Sequence, residues 1–313
     1  MARNTFEDWI PEEWDSKVIE KVRQTSVVES EATPYPMATD TRHIPRSAGV
    51  DVNGVAKGAA YGEDEGVNDD VLLIAKKAGR AIRIADEDLQ DSNVAILEQK
   101  RMDWATSWAK YLDNAALGTT AAMSGVTVPY TSVYRSVRTA DAELGYVADA
   151  NYLATAAGVA VSYDNLSALL GLVEVGDYWD EDKALVIAHP SIRETMRGIK
   201  DDNGTPIFVR GQQGDRATPD TLFGYRLRYS LGAKTSAAAT HAPEGNPLLI
   251  VVNKDFLAIG KRSGPESKVA GPDSGAAFLT DEALLKMRAR RGFALTHPAA
   301  AAVLEVVPAV PGP

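Results

Sequence analysis

The sequence predicts an α+β fold, and three features predict it. Residues 93–117 carry apolar side chains at helical spacing, Ala184–Ala188 is an unbroken apolar run suited to a central strand, and the last third alternates like a sheet. That last third runs from Leu248–Val252 through Asn253-Lys254-Asp255-Phe256 and Ile259-Gly260-Lys261-Arg262. It continues in Phe278–Phe293 and closes on His297-Pro298-Ala299-Ala300. It contains no nucleophile, base or metal cluster, so it reads as a building block and not a catalyst.

At 313 residues the chain is long enough for one large or two medium domains. A hydrophobic content of 45% and a charged content of 24% are ordinary for a globular protein in water. The absence of cysteine excludes disulfides and thiolate metal sites and fits a reducing cytoplasm. Met1–Trp14 is acidic and aromatic, without the basic and apolar regions of a signal peptide. No apolar run approaches the ~20 residues of a membrane helix, so no membrane partner is expected. A net charge of −10 without a basic stripe argues against tight binding to DNA phosphates. An acidic wall that only encloses DNA is compatible with it, because like charge keeps the polymer off the wall.

Met1–Met37 reads as an N-terminal arm. Val18 and Val22 fit a short amphipathic helix, and Thr33-Pro34-Tyr35-Pro36 is expected to break regular structure. In residues 38–80, the strand-like Arg42–Arg46 and Val71–Ala75 flank a glycine-rich, acidic stretch. This predicts a long two-stranded projection with a flexible tip. An isolated hairpin is marginal in water. One this polar needs another surface, and nothing obvious in its own chain provides it; a disordered surface loop is the plainer alternative.

The best helix spans 93–117. Asp91 or Ser92 is expected to cap it, with Asp86, Glu87 and Asp88 just upstream. Leu97, Trp104, Trp108, Tyr111, Leu112 and Ala115 fall on one stripe, and Gly118 ends it. Core packing is the expected role of the tryptophan pair, against stacking on a nucleobase. Thr119–Gly145 reads as loop and edge structure. Ser162-Tyr163-Asp164-Asn165 opens a helix over Leu166–Val175, and His189-Pro190-Ser191 caps another over Ile192–Ile199. Asp202-Asn203-Gly204-Thr205 signals a turn before a strand at Pro206–Val209. Leu222–Tyr229 alternates as one strand, and Ala233–Asn246 is loop.

No hydrolase elbow, zinc-protease helix, phosphate loop or dinucleotide fingerprint occurs. His43, His189, His241 and His297 are scattered, and two of them precede proline, where a turn role is expected. The clusters Glu63-Asp64-Glu65, Asp86-Glu87-Asp88 and Asp180-Glu181-Asp182 lack calcium-loop spacing and read as solvated faces. No catalytic residue, metal site or cofactor is expected.

The order of segments from Pro36 to Val307 resembles the major capsid proteins of tailed bacteriophages, the HK97-like fold. Val71–Asp91, ending Ile84-Ala85-Asp86-Glu87-Asp88-Leu89-Gln90-Asp91, resembles the family's return strand and the acidic approach to its spine helix. Leu112-Asp113-Asn114-Ala115-Ala116-Leu117-Gly118 resembles the helix exit. Ala188-His189-Pro190-Ser191, Lys200–Ile207 and Leu222-Phe223-Gly224-Tyr225 resemble the core of the axial domain. Arg290-Arg291-Gly292-Phe293 through Ala300 resembles the close of the peripheral domain.

The resemblance implies an N-terminal arm at 1–37 and an extended loop at 38–80. It implies a peripheral domain at 81–144 and 248–313 with its spine helix at 93–117, and an axial domain at 145–247. It places the extended loop across a neighbouring subunit, with Arg42, Arg46, Lys57, Glu63, Asp64 and Glu65 as contacts between subunits. Leu97, Trp104, Trp108, Tyr111 and Leu112 would pack the spine helix. The implied function is self-assembly into pentamers and hexamers of an icosahedral shell. The shell would enclose double-stranded DNA without sequence-specific binding and expand from a precursor when DNA is packaged. Scaffold, portal and decoration proteins are implied partners, and the implied location is the virion, after assembly in the host cytoplasm. The arm is too short for a fused scaffolding domain, which implies a separate scaffold or none. Lys57 sits where some relatives form a covalent link, but neither the partner asparagine nor the catalytic glutamate is identifiable, so no crosslink is implied. An encapsulin-type compartment shell of the same fold is the alternative, and a metal-dependent enzyme a more distant one.

Overall fold

The computed structural model describes residues 24–47, 49, 52–63, 68–91, 95–200, 221–271 and 280–308. The short helix around Val18 and Val22, and the turn and strand at 202–209, lie outside these residues.

One sheet has six strands. They are β5 (Tyr152–Ala154), β6 (Ala184–Ala188), β7 (Thr221–Leu222), β8 (Tyr225–Tyr229), β9 (Leu248–Asn253) and β12 (Ala301–Glu305), in the order β5-β12-β9-β6-β8-β7. Every residue of β6, β9 and β12 is buried, which explains why these segments are apolar throughout. Alternate side chains serve two cores. Leu185, Ile187, Leu248, Ile250, Val252 and Val303 face one, and Val186, Leu249, Val251 and Leu304 face the other. The second core is closed by two helices, α5 (Tyr163–Glu174) and α6 (Pro190–Gly198). Ser162 and Asn165 form a reciprocal capping box at the start of α5. His189 caps α6 by accepting from the Ser191 N–H, and Pro190 occupies the first turn. Both helices open at the caps the sequence suggests, but they start at Tyr163 and Pro190, ahead of the expected Leu166 and Ile192.

The run Leu222–Tyr229 is a tight hairpin and not the single strand expected. Phe223 (φ 51°) and Gly224 (φ 90°) occupy left-handed backbone and turn the chain between β7 and β8. A bulky residue in that conformation hides the turn from the sequence.

The second sheet has the order β1-β10-β11-β4, with β1 at Thr33–Pro36, β4 at Lys76–Ala85, β10 at Leu257–Ala270 and β11 at Glu282–Leu295. Thr33–Pro36 was expected to break regular structure and instead pairs parallel with β10. It lies at the sheet edge, where two prolines cost no ladder on the outer side. A five-residue helix, α1 (Val27–Glu31), precedes it; Ser26 caps α1, and Val27 and Val28 are buried.

The long helix α3 (Ile96–Leu117) lies on one face of this sheet, where Trp108 and Leu112 share a core with Ala289 and Phe293. It starts later than the sequence suggests. Its N-cap is Ala95, which has no side chain to bond the first turn. Asp91 belongs to a separate short helix, α2 (Asp86–Asp91), and Ser92 and Asn93 lie outside the described residues. Thr119–Gly145 also contains a helix that the sequence reading missed, α4 (Val133–Val137). Ser132 caps α4, and it buries Val133, Tyr134 and Val137.

The boundary drawn at 247/248 does not follow the sheets. β9 and β12 both hydrogen-bond within the six-stranded sheet, β9 between β12 and β6. The excursion to the second sheet is 257–295, and the chain then returns. β9, the first residues of β10 (Leu257–Gly260) and β12 are all buried, so composition does not mark the crossing.

Candidate assembly surface

The projecting element is built from β2 (Thr41–Ser47) and β3 (Asn68–Ile74), which pair antiparallel with Thr41 opposite Ile74 and Arg46 opposite Asp69. The two expected strands therefore form one hairpin. Its root has a seat in its own chain, contrary to the expectation that none exists. Leu73 is fully buried among Met37, Ala75, Ala258 and Ala294. It lies over Gly260 and Gly292, which face each other in register across β10 and β11. A Cβ at Gly260 would stand 2.4 Å from Met37 Sδ and 2.9 Å from Leu73 Cδ2, and one at Gly292 would stand 3.0 Å from the Ile74 carbonyl oxygen. The seat was missed because a register between strands so far apart in the chain is invisible in the sequence.

Arg46 clamps the root from the side. Its Nε donates to Asp69 at 2.9 Å, Nη2 to Asp141 at 2.8 Å, and Nη1 to the Thr296 carbonyl at 3.2 Å. The guanidinium holds Asp69 below the ordinary carboxylate range, while the neighbouring Asp69 pushes Glu143 up. Arg42 donates to the Pro36 carbonyl at 2.6 Å and lies 5.3 Å from the Tyr35 ring. Both arginines of the expected contact set are thus engaged within their own chain.

Beyond the root, residues 52–63 are exposed throughout. Val52 is 95% exposed and Tyr61 84%. Lys57 sits in a turn and Glu63 follows Gly62, both in solvent; Asp64 and Glu65 lie outside the described residues. This apolar and charged arm has no cover from the described residues of its own subunit.

On α3 the expected packing set divides by depth. Leu112 is fully buried and Trp108 nearly so, whereas Leu97, Trp104 and Tyr111 are half-buried. Trp104 stacks on Trp108 at 5.7 Å with 10° between planes, and Tyr111 also stacks on Trp108, at 5.8 Å. The tryptophan pair packs the core and its edge.

The two polar residues at the helix exit were missed as contact makers. Buried Asp113 accepts from Ser26 Oγ and Ser230 Oγ, both at 2.5 Å, and from the N–H groups of Val27 (3.1 Å) and Val28 (3.2 Å). Burial pushes its carboxyl up, against these donors. Asn114 donates to the carbonyls of Gly232 and Lys234 and accepts from Ser236 Oγ and the Thr240 N–H. Together they tie the arm and the 230–240 loop to the spine. The available signal was a pair of polar residues inside the most apolar turn of a helix. A third buried hub is Glu305, which accepts from Tyr134 and Tyr152 hydroxyls at 2.8 and 2.6 Å and from Asn246 Nδ2 at 2.6 Å.

Among the described residues no three His, Asp or Glu side chains converge as a metal site. His189 and His297 cap turns, as their prolines suggest. His297 stacks on Tyr178 at 3.6 Å, and burial lowers its pKa to about 4.

Comparison with known proteins places this architecture. Residues 7–306 match the model of the phage capsid family. The probable major capsid protein gp17 of Mycobacterium phage D29 is 24% identical over 217 residues, 68% of this chain. The match spans 62% of that relative's length. Among solved structures, a chain of Mycobacterium phage Bobi superposes with a TM-score of 0.71 at 18% identity, covering 99% of each chain. A chain from the capsid of the native GTA particle gives 0.72 at 16% identity, covering 98% of this chain and all of that one. The fold is the HK97-like capsid fold. Since the family match leaves only the chain's ends uncovered, the protein belongs to the phage capsid family.

Proposed function

We propose that this chain is the major capsid protein of a tailed bacteriophage. Its copies assemble as pentamers and hexamers into an icosahedral head that encloses double-stranded DNA without reading its sequence. The observation that carries this reading is the hairpin arm. It is anchored at its root by Leu73 and Arg46 and exposed from Val52 to Glu63, with Val52 and Tyr61 almost wholly in solvent. A projecting arm with exposed apolar groups finds its cover in another subunit. Many modest contacts of this kind, repeated around rings, close a shell.

In this reading Lys57, Glu63, Asp64 and Glu65 make contacts between subunits, while Arg42 and Arg46 hold the arm at the angle that delivers them. The peripheral domain is the four-stranded sheet with α3, and the axial domain is the six-stranded sheet with α5 and α6. Assembly takes place in the host cytoplasm, with scaffold, portal and decoration proteins as partners, and the product is the virion. The net charge of −10 fits a wall that contains DNA and does not bind it tightly.

Deleting Gly49–Gly66 tests the reading. The shortened subunit should melt as the parent does, because its core residues lie elsewhere, and should form no closed particles under electron microscopy. Normal shells from the deletion would overturn the role of the arm.

A further inference from the structure

An asparagine followed by glycine can modify itself when the backbone around it is free to turn, and the asparagines of this chain differ in that freedom. Asn114, Asn151, Asn165, Asn246 and Asn253 have their side-chain amides held by hydrogen bonds. Each of these is followed by a residue that carries a side chain. Asn68 is paired with Ser47 in the β2–β3 ladder and precedes Asp69.

Asn53 is different. It lies in the exposed arm, outside any strand or helix, and its amide has no hydrogen-bond partner among the described residues. Gly54 follows it in open space, where a Cβ would meet nothing within 4 Å. These are the conditions for ring closure. The chain must rotate until the Gly54 nitrogen reaches Cγ of Asn53, which a strand or helix forbids and an exposed loop allows. A following side chain would crowd the ring, and glycine has none. The Gly54 N–H gives its proton to solvent, and the nitrogen attacks Cγ. The side-chain nitrogen takes up a proton and leaves as ammonia. Water then opens the succinimide at either carbonyl, giving aspartate or isoaspartate, and solvent is the only other reactant. Asn203-Gly204 is a second such pair in the sequence and lies outside the described residues.

We propose that Asn53-Gly54 is a self-modification site of the free subunit. Left unassembled, the arm converts spontaneously to aspartate and isoaspartate there; once another subunit covers the arm, the conversion stops. The protection rests on the shell reading above, and the conversion itself does not. The product matters because of where it sits. Between Gly49 and Glu63 the sequence already holds Asp51 and Glu63 against Lys57, and the new carboxylate adds to that negative charge. Isoaspartate also routes the backbone through the side chain, which lengthens the arm and shifts every group beyond it. An aged free subunit therefore presents a different arm from a fresh one, and the mark accumulates on copies that miss assembly.

Peptide mapping by mass spectrometry tests it, on the full chain held unassembled in mildly alkaline buffer, with isoaspartate read by its methyltransferase. Conversion at Asn53 should grow with time. Gly54 has no left-handed backbone to preserve, so Gly54→Ala adds a methyl group in open space and should leave the fold unchanged. It should slow the conversion at least tenfold. No conversion at Asn53, conversion confined to Asn203, or an equal rate in Gly54→Ala would overturn the site. In closed particles the rate should fall at least tenfold below that of free subunits. An equal rate there would overturn the protection. Protein that converts at Asn53 but forms no particles under any condition would overturn the shell reading and the protection with it, and would support the conversion.

Discussion

Gly260 and Gly292 face each other across β10 and β11, and Leu73 of the projecting hairpin fills the space their absent side chains leave. A β-branched residue at Gly260 would push into Met37 and Leu73. Overpacking a filled site costs about 1–3 kcal/mol. Gly260→Val should lower the subunit's thermal midpoint and raise amide exchange in β2 and β3 ahead of α3. A variant with unchanged exchange in the hairpin would show that the root is not seated there.

The depth difference along α3 predicts unequal tryptophans. Trp108 is 6% exposed, while Trp104 stacks on it from the half-buried side. Trp108→Ala should cost about 3–5 kcal/mol, as truncation of a buried aromatic does. Trp104→Ala should cost less, though still a measurable amount through the lost stack. Chemical denaturation of the two variants compares them; equal losses would contradict the assigned depths.

Asp113 predicts what holds the N-terminal arm. Asp113→Ala strips acceptors from two buried N–H groups and two hydroxyls, each worth about 1–3 kcal/mol when left unsatisfied. Limited proteolysis should then cut near Ser26 before the folded core. Unchanged protection of that segment would show that the arm is held by Val27 and Val28 alone.

Two histidines, the buried His297 and the partly buried His189, predict a pH dependence. Burial lowers His297 and His189 to about 4 from the ordinary value of 6.5. The unfolded chain therefore takes up protons at a higher pH than the folded one. The stability these groups contribute is fully present above about pH 6.5 and is lost as pH falls toward 4. His297→Asn keeps a side-chain acceptor for the Ala299 N–H and removes one titrating group. Urea midpoints at pH 7 and pH 5 should differ less for this variant than for the parent. An equal difference would place the acid sensitivity elsewhere.

Much of the fold is legible because local chemistry and tertiary position agree. Ala184–Ala188 is apolar throughout since both its faces are covered, and Ser162 with Asn165 writes the start of α5 in two residues. The misses occur where tertiary context overrides a local rule. Pro34 and Pro36 read as a break but sit on a sheet edge, and Phe223 adopts a backbone conformation that glycine usually fills. Of the assembly surface, the hairpin was legible from two strands around a glycine-rich acidic stretch. Its seat at Gly260 and Gly292 and the clamp of Arg46 on Asp141 were not. Each depends on register between strands distant in sequence.

The central claim is that these subunits close into a shell. Cryo-electron microscopy of the purified protein, expressed with its neighbouring genes, tests it most directly. The account predicts closed icosahedral particles with five- and six-fold capsomers, in which density for residues 52–63 of each subunit lies on a neighbour. A uniform small oligomer, with the arm still in solvent, would contradict it.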